Sequence, residues 1–367
     1  MTDHLSRECI AKWTTGVNGA RGMLRWIPIA VIAVPGFLFL AAMDGCGENT
    51  EKATAPDHVT LYCSVDEVFA RGVLSKFSQT TGIQVKTVFD SEAGKTTGLV
   101  NRIVEESRSK RVRADVFWSG ELFNTIHLAR MGMLARYDPP TAADIPDRYR
   151  DMKHRWTALA LRARVIAYDP SRTALSEVPE RWSDLVARAV ASRLAIANPL
   201  FGTTRGHVAA MFALWGTDAG VSFLSHLKGN GVTIADGNSS AVRAVIAGRV
   251  DFAATDTDDV WVARHAGHSI DLVYPDMGDG GTLWIPCSVA LLRGGSQNDE
   301  ARQLVDFLVS TDVEKMLAQS NSKNIPVRPA LRDELGLVLP RESDVPFDAI
   351  VDAMEPSEKA VREILIR

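Results

Sequence analysis

Between Val59 and Gly132 the chain alternates three apolar runs with three amphipathic stretches. Only a layered α/β arrangement buries both kinds of surface. Val59 to Ser64 (VTLYCS) reads as a buried strand. Glu67 to Thr80 follows with Val68, Phe69, Val73, Leu74 and Phe77 at helical spacing, and Gly82 is placed to stop that helix. Gln84 to Asp90 alternates as a strand, and Thr97 to Glu106 puts Val100, Ile103 and Val104 on one helical face. Ala114 to Trp118 is a short strand, and Glu121 to Met131 a helix ended by Gly132. The order β-α-β-α-β-α predicts a mostly parallel sheet with helices on both faces.

The pattern resumes later. Strands are predicted at Trp156 to Tyr168, Arg193 to Ala197, Val232 to Ala235, Val250 to Thr255, Ile270 to Tyr274 and Leu283 to Leu292. Helices are predicted at Thr204 to Trp215, Ser240 to Ala247, Asp299 to Ser310 and Val313 to Gln319. A chain of 367 residues suits two domains better than one core. Its 46% hydrophobic and 23% charged residues are those of a globular protein, and a net charge of −4 points away from nucleic acid. The four cysteines form no CxxC pair, which excludes a zinc ribbon or thioredoxin-like site. Gly94-Lys95-Thr96-Thr97 lacks the glycine that a phosphate-binding loop needs five places earlier, where Phe89 stands.

Residues 1–47 read as an export segment. Arg21 and Arg25 precede an uncharged apolar run from Trp26 to Met43, the pattern of a secretory signal. Gly45-Cys46 after it resembles the lipobox of bacterial lipoproteins, which makes Cys46 the expected lipidation site, although Asp44 departs from the small residue usual there. An uncleaved membrane anchor is the other reading. Residues 48–58 are polar and aperiodic, a flexible tether.

Six motifs in order carry a family resemblance. They are Leu61 to Glu67 (LYCSVDE), Asp90 to Leu99 (DSEAGKTTGL), Ala114 to Trp118 (ADVFW), Ala197 to Thr204 (ANPLFGTT), Thr255 to Asp259 (TDTDD) and Ile285 to Leu291 (IPCSVAL). The series resembles the extracellular solute-binding proteins of bacterial ABC importers, above all the group that binds ferric iron. The resemblance implies a two-lobed periplasmic-binding-protein fold, type II-like, with hinge strands and a ligand cleft. Lobe 1 would comprise residues 59–161 with a return segment 283–330, lobe 2 residues 162–282, and a helical tail residues 331–367. It also implies lobes that close on their ligand by hinge motion, no catalytic activity, a monomer outside the cytoplasmic membrane, and permease and ATPase subunits as partners.

Ligands of open α/β sheets sit beyond the carboxyl ends of strands. Those ends are polar here: Ser64 and Asp66; Glu92; Glu121; Asp258 and Asp259. Thr203, Thr204, Ser239 and Ser240 open further helices, where N–H groups face anions. Trp118 offers a cation–π face or a core aromatic. Each polar residue reads equally as a helix cap. In iron-binding relatives a histidine follows the first strand, a glutamate the third, and a tyrosine pair opens a helix in the second lobe. Asp66, Glu121 and the pair Asp258-Asp259 stand at or near those places, so the resemblance makes these four carboxylates the expected metal ligands. They suit a hard metal such as ferric iron with a synergistic anion, or an organic cation. The alternatives are a site for an oxyanion such as a phosphonate, and a ligand-sensing ectodomain. No GxSxG or HExxH pattern supports an enzyme.

Overall fold

A computed structural model of the chain describes residues 58–90, 97–295 and 298–366. The export segment, all but the last residue of the tether, Cys46 and Glu92 lie outside the described residues.

The chain opens with β1 (His58–Cys63), α1 (Glu67–Thr81), β2 (Gln84–Phe89), α2 (Thr97–Arg108), β3 (Val116–Ser119) and α3 (Phe123–Arg130). Helix α1 forms because Ala70, Val73, Leu74 and Phe77 recur on one face and are buried together. It stops at Gly82, whose φ of 77° is left-handed backbone and whose N–H returns to the Ser78 carbonyl. β1 pairs in parallel with both β2 and β3.

After β3 the register turns antiparallel. β9 (Trp284–Leu291) lies beside β3, with Leu291 opposite Val116 and Ser288 opposite Ser119. β4 (Thr157–Tyr168) pairs with β9 through its first part, with a bulge between Ala158 and Ala160. Its last residues pair with β7 (Phe252–Asp256) and β8 (Asp271–Val273). All twelve residues of β4 are buried. Beyond β7 come β5 (Leu194–Ala197) and β6 (Thr233–Ala235), again parallel. The strand order is therefore β2-β1-β3-β9-β4-β7-β5-β6, with β8 beside β4. Two parallel blocks are joined by one long antiparallel pair. The expected lobe boundary between Leu161 and Arg162 falls inside β4, which is continuous across it.

The second block carries α4 (Arg188–Ala191), α5 (Gly202–Trp215), α6 (Thr217–Gly229), α7 (Asn238–Ile246) and α8 (Thr257–His265). Helices α9 (Asp299–Leu308) and α10 (Thr311–Gln319) return to the first block, packing on α1, with α9 also against β1 and β9. Asn298 and Ser310 cap them, accepting the N–H groups of Ala301 and Val313 at 3.0 and 3.4 Å. After α11 (Pro329–Glu334), α12 (Phe347–Ile364) packs on α5, α6 and α3, and so touches helices of both blocks. α5 and α3 meet closely: a Cβ at Gly206 would come within 2.3 Å of the Phe123 ring. Cys63 and Cys287 are buried free thiols. Among the described residues no helix is long and apolar enough to cross a membrane.

Candidate functional site

Strand ends from both blocks open into one cleft of about 710 Å³. β1 delivers Ser64 and Asp66, and β3 delivers Gly120 and Glu121. Opposite, β5 leads to Asn198 and the first turn of α5, with Thr203 and Thr204. β6 leads to Asp236 and the start of α7, with Asn238 and Ser239; β7 ends at Asp256 and runs into Asp258 and Asp259 of α8. The turns place these side chains because a parallel strand hands its chain to a helix at the same edge of the sheet.

The first wall is braced internally. The Ser64 hydroxyl accepts the Gly120 N–H at 2.9 Å. Glu121 is buried, and its carboxylate accepts the Phe123 N–H at 2.8 Å and the Asn124 N–H at 3.3 Å, capping α3. Burial raises its pKa against the lowering effect of the Asn124 hydrogen bond and the Arg205 charge.

The second wall rests on two arginines. Arg162 and Arg164 occupy alternate positions of β4 and so share a face. Arg162 lines the cleft and pairs with Asp258 at 2.9 Å, with Asp256 at 3.9 Å. Burial alone would lower its pKa, but the charges of Asp258 and its neighbours hold it well above the usual value. Arg164 lies behind the wall with 0% exposure. It donates to Asp256 at 2.8 Å and to the Asn238 amide oxygen at 3.3 Å. Asp256, also 0% exposed, accepts the Thr203 hydroxyl at 2.5 Å and the Asn238 amide at 2.8 Å. One buried ion pair thus ties together the starts of α5, α7 and α8.

His207 completes this network. Its Nδ1 accepts the Arg164 Nε–H at 3.3 Å and its ring meets Trp182 edge-on at 4.1 Å. Burial, then the Arg164 charge, push its pKa well below the usual histidine range. The unfolded chain takes up this proton near pH 6.5 (an approximate reference value) and the folded chain does not. Stability is therefore present above that pH and is lost as pH falls below it. Urea unfolding should show a slope of up to about 1.4 kcal/mol per pH unit below about pH 6.5. His207→Gln should flatten it; an identical profile in that variant would show that His207 does not set it.

Ser64, Asp66, Glu121, Thr203, Thr204, Ser239, Asp258 and Asp259 all line the cleft. Ser240 is not among the lining residues; its hydroxyl accepts from Arg243 at 2.6 Å. Trp118 is fully buried in the core of the first block and presents no face to the cleft. Among the described residues, Asp256, Asp258 and Asp259 bring carboxylate oxygens within 4.8 Å of one another, which sets two of the four expected metal ligands beside Asp256. Asp256 belongs to the polar TDTDD end named from the sequence, but its bonds to Thr203 and Asn238 join segments distant in sequence and leave no local signal. Arg162, Arg164 and His207 were missed too, although two charges on one face of an apolar strand (TALALRARVIAY) demand buried acids nearby.

A profile of the family described as bacterial extracellular solute-binding protein matches residues 114–348. The chain belongs to that family. Its relatives in this family include the Fe(3+)-binding periplasmic protein of Serratia marcescens, 24% identical over 345 residues, 92% of this chain and 96% of that one. The putative 2-aminoethylphosphonate-binding periplasmic protein of Salmonella typhimurium is 24% identical over 261 residues, 69% of this chain and 72% of that one. The structure of iron-bound HitA from Pseudomonas aeruginosa superposes with a TM-score of 0.74 at 26% identity, covering 84% of this chain and all of that one. The two-lobed periplasmic-binding-protein fold is thereby established for this solute-binding protein.

Proposed function

We propose that this solute-binding protein captures a small solute bearing a positive centre and delivers it to the permease of an ABC importer. The observation that carries the reading is the carboxylate content of the cleft: Asp66, Asp236, Asp258 and Asp259 line it beside the two guanidinium groups of Arg162 and Arg243. Closing a cleft on carboxylates strips their water, which is costly without a compensating cation. A cation held between the lobes removes that cost and so favours the closed form.

Two cargoes share this chemistry, a hard metal ion and an ammonium compound. The relatives named for Fe(3+) support the first, and the carboxylates within 4.8 Å offer it oxygen ligands. The relative named for 2-aminoethylphosphonate supports the second. In both, a small oxyanion would face the starts of α5 and α7, where Thr203, Thr204 and Ser239 stand at helix N-termini. Cys46 lipidation, or an uncleaved anchor, would hold the protein at the outer face of the membrane.

A thermal-shift panel of ferric ion with and without phosphate, polyamines, 2-aminoethylphosphonate and phosphate alone tests the reading. A cation at a hundredfold excess over its Kd should stabilise the protein by about 2.7 kcal/mol. Stabilisation by phosphate alone, with no cation effective, would overturn it.

A further inference from the structure

The cleft carries more apolar surface than a bare ion can use. Among the described residues, eight large apolar side chains are exposed. Two of them, Val68 at 76% and Val262 at 40%, line this one cleft. They come from opposite walls, Val68 from the first turn of α1 and Val262 from the second turn of α8. Phe89 at the end of β2 and Phe201 before α5 line it too, both half-buried. On the second wall the polarity is graded along each helix. α8 starts with Asp258 and Asp259 and presents Val262 one turn later; α7 starts with Asn238 and Ser239 and presents Ile246 two turns later. Charge thus lies at the helix starts and hydrocarbon farther along, on the same cleft-facing side.

The size agrees. At about 30 Å³ per molecule, about 710 Å³ is room for roughly two dozen waters, and it falls in the range of about 300–1,000 Å³ usual for pockets that take small organic ligands. A metal ion gains nothing from exposed valine, whereas a hydrocarbon gains from each methylene it removes from water. We infer that the cargo is an organic cation with an apolar body: its ammonium group meets Asp258 and Asp259, and its body lies between Val68 and Phe89 on one lobe and Phe201, Ile246 and Val262 on the other. This inference rests on the cationic reading of the cleft.

Calorimetry with the n-alkylammonium series from ethyl to hexyl tests it on the full chain. Each added methylene should tighten Kd about fourfold, equivalent to about 0.8 kcal/mol. The double variant Val68→Ser/Val262→Ser should flatten that dependence, so that hexylammonium loses more affinity than ethylammonium; both residues are exposed, and circular dichroism checks that the variant is folded. If Kd is independent of chain length yet weakened by Asp259→Asn, the apolar-body inference is wrong and the cationic reading stands. If ferric ion binds and no ammonium does, the inference is likewise wrong. If only anions bind, the cationic reading falls with it.

Discussion

Replacing Arg164 by methionine should cost about 3–5 kcal/mol of stability, the effect expected when one partner of a buried ion pair is removed. Asp256 has no exposure and would be left with hydrogen bonds from Thr203 and Asn238 but without its 2.8 Å guanidinium partner. The loss would spread, because the same two residues hold the starts of α5 and α7. Arg164→Lys should be milder in charge yet still destabilising, since an ammonium cannot reproduce the planar fork that reaches Asp256, Asn238 and His207 together. Adding Asp256→Leu to Arg164→Met should recover part of the stability by removing the orphaned charge. Urea unfolding of the parent, Arg164→Met, Asp256→Leu and the double variant gives the cycle. An Arg164→Met protein within 1 kcal/mol of the parent (roughly the size of an ordinary surface effect) would mean that the pair is not the anchor of this wall.

The second large effect concerns the two carboxylates that open α8. Asp258→Asn and Asp259→Asn should behave differently. Asp258 pairs at 2.9 Å with Arg162, whose side chain is only 11% exposed. Its replacement strands a buried guanidinium and should weaken both folding and binding. Asp259 accepts the Thr255 hydroxyl at 3.0 Å and is half-buried. Asparagine can keep that hydrogen bond, so stability should move by less than about 1 kcal/mol. Affinity for a cationic ligand should nonetheless fall by about 30-fold or more, about 2 kcal/mol, as for the loss of one partner of a desolvated charge pair. Calorimetry with the strongest cation from the thermal panel reads this directly. Undiminished affinity in Asp259→Asn would end the acidic-cleft reading.

The strand–helix alternation was legible because each element buries a face, and burial leaves a period in the sequence. TALALRARVIAY shows where that legibility stops. Periodicity identified it as a strand, but its role as the element shared by both lobes depends on β9, more than a hundred residues later. The carboxylates at strand ends were legible as polar residues beside helix starts. Their electrostatic state was not, because Asp256 and Asp258 are matched by arginines from a strand distant in sequence. Trp118 failed in the opposite way: an aromatic at a strand end is chemically fit for a cation, and only packing sends it to the core. The apolar run from Trp26 to Met43 is a strong compositional signal for the expected export segment, and its residues lie outside those described.

The place of β9 has a consequence in time. The sheet of the first lobe includes Trp284–Leu291, which lies between β3 and β4. A chain emerging from the ribosome can form β1, β2 and β3 early, but the strand that closes this sheet arrives only after the whole second lobe has been made. Pairings of such sequence separation are slow to form, because the loop must be closed before any contact rewards it. If residues 1–47 act as the export segment expected from the sequence, that delay would keep the chain threadable until its last strands had crossed the membrane. The strand pair that joins the two finished lobes would then also be the clock that keeps the unfinished chain open.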